Sequence, residues 1–267
     1  LAFYAQASLS FWDRLNLLAG VRYDDNSVFG SETSPRFAAS YLIKETGTRL
    51  KGSYGEGIKN PSFIDLYYPM FGNPDLEAEK SKAWDAGFEQ ALWGDRLTFG
   101  VTYFHSDFDN LIAFAFPAPQ NIEIAKSEGV EVELKALLPY HFSFRGAYTY
   151  TKTEDGEGHR LLRVPRNLVS LNLNYTYERL MLNLDSLIVS ERPDSAFVDL
   201  NGDFINDITD NEANGYVKLD IAGEYRLTEN LWLVARVNNL LDDEHYEEAL
   251  GFENPGINFL AGVRGVF

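Results

Sequence analysis

The sequence predicts an all-β protein, an antiparallel transmembrane β-barrel contributing about 13 strands. Three observations predict it. Apolar and polar residues alternate along almost every segment, each alternating run lasts about 9–12 residues, and the connections between runs are short and long in turn. An amphipathic helix would need apolar residues at i, i+3 and i+4, which these runs do not supply. Strands of soluble domains are usually about 5–6 residues long, whereas a strand tilted across a bilayer needs about 9–11.

The runs fall near 2–11, 15–24, 35–44, 48–57, 80–92, 96–107, 125–138, 141–151, 166–177, 181–190, 216–226, 230–240 and 256–267. In the second, Leu15, Leu17, Ala19, Val21 and Tyr23 alternate with Asn16, Leu18, Gly20, Arg22 and Asp24. The same period of two marks Leu97 to Tyr103, Phe142 to Tyr150, Leu171 to Tyr177 and Val217 to Tyr225. Short connections are expected at Trp12 to Arg14, Lys44 to Thr48, Trp93 to Asp95, Pro139-Tyr140, Glu178-Arg179 and Arg226 to Asn230. Long ones are expected at 25–34, 57–79, 108–124, 152–165, 191–215 and 241–255. Tight turns at one membrane surface and long loops at the other generate that order. Trp12, Trp93, Tyr140, Tyr177 and Tyr225 sit beside the short turns, and Tyr23, Tyr103 and Tyr150 near the long loops. Those are the two headgroup levels that aromatic rings favour. An odd strand count places the two chain ends on opposite sides, whereas bacterial barrels of this kind have even counts. The expectation is therefore a part of a larger barrel, with open edges at its first and last strands.

Composition narrows the function. The 267 residues carry 23 Lys+Arg against 40 Asp+Glu, a net charge of −17, which repels a phosphate backbone and argues against nucleic acid as a partner. A hydrophobic content of 45 % argues against disorder. No apolar stretch reaches the ~18 residues of a transmembrane helix. Cysteine is absent, which removes a disulfide scaffold, a thiolate metal site and a cysteine nucleophile. Catalysis finds little support. His105, His141, His159 and His245 have no metal-ligand spacing, and no G-x-S-x-G is present. Gly52, Gly55 and Gly57 end a strand with no helix after it, so a phosphate-loop reading fails on context.

Two loops carry candidate sites. Tyr67, Tyr68 and Phe71, with Pro69 and Met70 between them, occupy a long connection. Exposed rings there either stack on an apolar or macrocyclic ligand or pack against neighbouring loops. Phe114, Phe116 and Pro117 pose the same choice. In the stretch 199–210, Asp199, Asn201, Asp203, Asp207 and Asp210 supply oxygens at relative positions 1, 3, 5, 9 and 12, and the Ile205 carbonyl stands at position 7. That spacing suits Ca²⁺, which accepts six or more oxygens. It departs from an EF-hand in Gly202, in Phe204 and in ending on Asp, and the other reading is a solvated acidic turn. The acidic excess of the other loops forms either a solvated rim or a surface bridged to lipopolysaccharide by divalent cations.

Gly72-Asn73-Pro74-Asp75-Leu76-Glu77-Ala78-Glu79-Lys80-Ser81, followed by Trp84 and Gly87-Phe88-Glu89, resembles the G-N-P-x-L-x-P-E-x-S motif of the TonB-dependent outer-membrane receptor family, with Ala78 in place of Pro. Gly129-Val130-Glu131-Val132-Glu133 resembles its G-V-E-x-E strand. Asn238-Asn239-Leu240-Leu241-Asp242 with Tyr246, Gly251-Phe252 and Pro255-Gly256 resembles its closing motif. The final alternation Phe259, Ala261, Val263, Gly265 and Phe267 resembles the C-terminal signal read by the barrel-assembly machinery. The best subgroup match is to vitamin B12 and siderophore receptors.

The resemblance implies a barrel of about 22 strands, of which residues 1–267 are the C-terminal part, the plug domain and TonB-box lying outside them. It implies a receptor importing a nutrient chelate of the cobalamin or iron-siderophore class. Its partners are the membrane lipid, lipopolysaccharide, TonB through the missing N-terminal region, and the assembly machinery. The alternative is a plugless outer-membrane porin or structural barrel. An outer-membrane hydrolase and a soluble all-β binding module are further readings.

Overall fold

The structure is a computed structural model that describes residues 1–113, 118–198, 207–243 and 254–266, without the side chains of 123, 195–198 and 207–211. The first strands are β1 (Ala2–Phe11), β2 (Leu15–Asn26), β3 (Gly30–Ile43) and β4 (Thr48–Lys59). A five-residue helix α1 (Phe63–Tyr67) follows, then β5 (Glu79–Leu92), β6 (Leu97–Ala113), β7 (Gln120–Leu137) and β8 (Phe142–Asp155). After them come β9 (Asn167–Tyr177), β10 (Leu180–Val189), β11 (Arg192–Val198), β12 (Asp207–Ala213), β13 (Tyr216–Thr228), β14 (Leu231–Asn238) and β15 (Asn258–Gly265). Thirteen strands form one sheet in chain order, and β11 and β12 pair separately. Every expected strand is present.

The chain divides into two compact units. The first comprises Leu1–Gln90, Val101–Val130 and Thr151–Leu161, the second Ala91–Gly100, Glu131–Tyr150 and Leu162–Phe267. In the first unit the antiparallel register lines up one apolar row across the strands. Leu9 stands opposite Leu17, Leu17 opposite Ala39, Ala39 opposite Gly52 and Gly52 opposite Ala86. One residue along, the other face reads Ser8, Leu18, Ala38, Ser53 and Asp85, and the Ser53 hydroxyl donates to Asp85. The second unit repeats the rule. Phe144, Leu173, Leu184, Ile221, Val237 and Phe259 form its apolar row. Arg145, Asn172, Asp185 and Asp220 form the polar one. There Asn183 Nδ2 donates to Asn174 at 3.0 Å, and Arg236 pairs with Asp220 at 3.6 Å.

Burial decides what the apolar rows face. Among the described residues only Leu66, Leu76, Ala78, Ala125, Val189, Ala213 and Tyr216 are buried hydrophobics. A soluble chain of this length folds around a far larger core. Leu17 is 36 % exposed, while Leu173 and Leu219 are half-buried and not enclosed. Contiguous uncovered apolar rows of this extent suit a sheet whose solvent is lipid.

The short connections lie where the sequence places them. Trp12 and Asp13 take φ of 53° and 51°, the left-handed geometry of a tight turn closed by Arg14 N donating to Phe11 O at 3.0 Å. The long ones differ. β2 and β3 run to Asn26 and from Gly30, so the expected loop 25–34 shrinks to a turn. β6 and β7 likewise absorb most of 108–124. At 25–34 hydropathic alternation fades into polar residues while backbone pairing continues, Asp25 standing opposite Ser31. Residues 191–215, expected as a loop, contain the β11–β12 hairpin, whose Arg192 pairs with Ala213.

Candidate functional site

The connection from β4 to β5, in the first unit, holds Tyr67, Tyr68 and Phe71. It begins with α1, which Ser62 caps. The Ser62 hydroxyl accepts from Asp65 N at 3.1 Å, and the Asp65 carboxylate accepts from Ser62 N at 2.8 Å. This reciprocal box satisfies two otherwise orphan donors of the first turn. Hydrogen bonding from Ser62 holds the Asp65 carboxyl below its ordinary value, Lys59 assists, and burial opposes.

A chain reversal follows the helix. Gly72 N donates to Tyr68 O at 2.7 Å and Asn73 N to Asp65 O at 2.7 Å. A Cβ at Gly72 would stand 2.6 Å from Tyr68 N and 2.8 Å from the Leu66 carbonyl, so only glycine fits. Leu66 and Leu76 are the buried feet of the loop.

Side-chain amides and carboxylates then clamp the loop to β6 and β7. Asn73 Nδ2 donates to Pro119 O at 3.0 Å. Glu77 N donates to Asn121 Oδ1 at 2.9 Å, and Asn121 Nδ2 donates to Glu77 O at 3.2 Å and to Asn110 O at 2.7 Å. Asn110 Nδ2 donates to Glu77 Oε2 at 2.7 Å. Glu79, nearly buried, accepts from Ile112 N at 2.9 Å and pairs with Lys59 at 3.0 Å. Sequence reading missed Asn73, Glu77, Asn110 and Asn121 as anchors. Their partners lie up to 46 residues away, and only the G-N-P-D-L-E run hinted at a structured loop.

On this frame the loop presents its rings outward. Tyr67 is 62 % exposed, Tyr68 55 % and Phe71 39 %. The structure brings Tyr68 to Phe71 at 6.2 Å between ring centroids, and sets Tyr67 against Phe63 at 6.4 Å. The result is a capped, clamped platform of exposed rings suited to stacking on a flat or apolar ligand.

The other candidate sites are less defined. Asp199, Asn201, Asp203 and Ile205 lie outside the described residues, as do Phe114, Phe116 and Pro117. The backbones of Asp207 and Asp210 belong to β12, opposite Val198 and Ser195. Among the described residues, no group of three or more acidic or imidazole side chains is arranged to hold a metal. In the second unit, Arg163 Nε donates to Asp194 at 3.0 Å and Arg163 N to Pro193 O at 2.7 Å, which ties the connection after β8 to β11.

Comparison with known proteins matches residues 1–240 to a family described as TonB-dependent receptor-like β-barrel. The chain is 28 % identical over 239 residues to the vitamin B12 transporter BtuB of Photobacterium profundum, covering 84 % of this chain and 36 % of that protein. It is 27 % identical over 284 residues to an iron-regulated outer membrane virulence protein of Vibrio cholerae, covering 94 % of this chain and 42 % of that one. The ferric enterobactin receptor PfeA of Pseudomonas aeruginosa shares the fold at a TM-score of 0.77 and 20 % identity, over 100 % of this chain and 44 % of that one. The chain thus spans less than half the length of these relatives. With its alternating rows and its G-N-P and N-N-L-L-D segments, the chain belongs to the TonB-dependent receptor β-barrel family of the bacterial outer membrane.

Proposed function

We propose that this chain is the C-terminal barrel portion of an outer-membrane receptor that imports a nutrient chelate of the cobalamin or iron-siderophore class. The observation that carries the reading is the β4–β5 loop, whose exposed Tyr67, Tyr68 and Phe71 stand on a framework of buried feet and amide clamps. Such pre-organisation spares a binding loop the entropy of ordering its rings on capture. The rings take the ligand at the cell surface, and a plug energised through TonB governs its passage. The apolar rows meet membrane lipid, and the acidic outer rim meets lipopolysaccharide through bridging divalent cations. The similarity to BtuB and to the iron-regulated protein supports this choice of cargo over a diffusion pore.

The test is equilibrium binding of cyanocobalamin and of a ferric siderophore to the intact receptor and to its Tyr67→Ala, Tyr68→Ala and Phe71→Ala forms. Loss of one stacked ring is expected to weaken the recognised ligand by roughly tenfold, about 1.4 kcal/mol. Unchanged affinity in all three variants would remove these rings from the site. Failure of either ligand to bind the parent would remove the proposed cargo classes.

A further inference from the structure

The lipid-facing row of the first unit is not uniform. Across β1 to β4 it dips into a groove of about 610 Å³. Ala19 and Ala39 form its floor, and Leu9, Leu17, Phe37 and Tyr54 its walls. The floor is low because small residues from adjacent strands coincide, Ala19 standing opposite Ala7 and Ala39 opposite Gly52. Towards the long-loop end, Tyr54 stands opposite Trp84 and Glu56 opposite Lys82. Lys82 therefore lies on the same strand face as Trp84, one pleat repeat (about 7 Å) beyond it.

The acids around Lys82 stay charged but hold other partners. Glu56 accepts from the Tyr54 hydroxyl at 2.5 Å. Glu128 accepts from the Tyr103 hydroxyl at 3.0 Å and pairs with Lys152 at 3.6 Å. Asp107 is engaged by His105 at 3.2 Å. Trp84 packs against both Tyr103 and His105, at 5.3 and 5.9 Å between ring centroids. Lys82 itself is exposed and in no ion pair among the described residues. An apolar trough thus runs up to an aromatic belt, with an uncommitted cation just past the belt.

We infer that this face binds one anionic membrane lipid, with an acyl chain in the groove floored by Ala19 and Ala39 and its headgroup phosphate on Lys82. The inference rests on the membrane reading of the apolar rows. Groove and cation each call for one half of the same molecule. Burying methylenes in the trough supplies affinity, and Lys82 supplies preference for a charged headgroup.

The experiment counts lipids retained by the intact protein after delipidation in detergent, by native mass spectrometry. Phosphatidylglycerol and phosphatidylcholine with identical acyl chains compete in it. Retention should favour phosphatidylglycerol by about fivefold, the order expected for one lysine beside an anionic headgroup. The ratio should fall to near unity in Lys82→Gln and persist in Lys51→Gln, the same charge change on the opposite strand face. Ala39→Phe, which fills the trough, should reduce retention of both lipids. A ratio of one in the parent, or an unchanged ratio in Lys82→Gln, overturns the site while leaving the membrane reading intact. A parent that stays dispersed in plain buffer and retains no lipid overturns both.

Discussion

Asn121 and Glu77 grip each other across 44 residues of sequence: the Asn121 amide oxygen accepts from Glu77 N at 2.9 Å, and its nitrogen donates to Glu77 O at 3.2 Å. A side-chain amide that mimics a strand's two backbone groups extends β7's pairing into the β4–β5 loop. Replacing it with Ala leaves a donor and an acceptor without their partner, each costing about 1–3 kcal/mol where water does not substitute. Asn121→Ala should raise hydrogen-exchange rates across residues 60–78 and spare β1 to β3. Unchanged protection of residues 60–78 in Asn121→Ala would show that Leu66 and Leu76 hold the loop alone.

The alternation of faces makes a second test sharp. Leu17 sits in the apolar row, opposite Leu9 and Ala39, and Ser8 in the polar row, opposite Leu18. An arginine on the lipid face near mid-bilayer costs roughly 2–4 kcal/mol. Leu17 lies near the short-turn end of β2, where that cost falls off, so Leu17→Arg should lower the denaturant midpoint of refolding into lipid vesicles by a part of it, and Ser8→Arg should change it little. Equal effects would mean that the two faces meet the same medium.

These two cases mark how far the sequence could be read. The rows needed only parity, so Leu17 and Leu173 announced their face without any knowledge of their neighbours. The loop's structure depends on partners distant in sequence. Asn110 and Asn121 look like ordinary polar loop residues until the fold brings them to Glu77. Helix α1 escaped because five residues are too few for a period of 3.6 to show, although Ser62 and Asp65 spell a capping box after Pro61. The β11–β12 hairpin escaped because Asp207 to Glu212 has little strand propensity, yet its backbone pairs with Arg192 to Val198.

The capping box also predicts a pH response. Folding holds the Asp65 carboxyl below its ordinary value of 3.8. A depressed folded value means stabilisation that is complete above the unfolded value and is lost as pH falls through the folded one. Helix α1 should therefore be insensitive to pH near neutrality and loosen only below 3.8. Asp65→Asn should abolish that acid step, read as amide protection of Leu66 and Tyr68 against pH. An acid step of the same size in Asp65→Asn would assign it to another carboxylate.

Asn239 is fully buried and adopts φ of 53°. Its Nδ2 donates to Asp243 O at 2.8 Å, its Oδ1 accepts from Asp243 N at 3.2 Å, and its own N–H donates to Asp220 at 2.8 Å. One side chain thus closes the turn after β14, and Asp220 ties that turn back to β13. Asn239→Ala loses the side-chain bonds and also meets the steric cost of a left-handed backbone, which asparagine tolerates better than alanine. Asn239→Gly relieves the second cost and keeps the first. Thermal unfolding should rank native above Asn239→Gly above Asn239→Ala. An Asn239→Gly variant as stable as the native protein would mean that backbone geometry, and not the amide bonds, accounts for the residue.

Gly87 tests how tightly β5 lies against β6. A Cβ there would stand 2.3 Å from Val101 O and 2.8 Å from Thr102 Cα, both backbone atoms that no rotamer change can move aside. The strands must therefore part or bulge to admit it. Trp84, three residues earlier, keeps its contacts with Tyr103 and His105 only while β5 and β6 hold their spacing. Gly87→Ala should accordingly destabilise by the ~1–3 kcal/mol typical of an overpacked site and shift Trp84 emission towards the red as its ring leaves the belt. Gly55→Ala is the matched control: its nearest neighbour would be the flexible Arg36 side chain at 3.8 Å, so it should fold as the parent does. If both variants behaved alike, the close approach of β5 to β6 would not be what requires glycine at position 87.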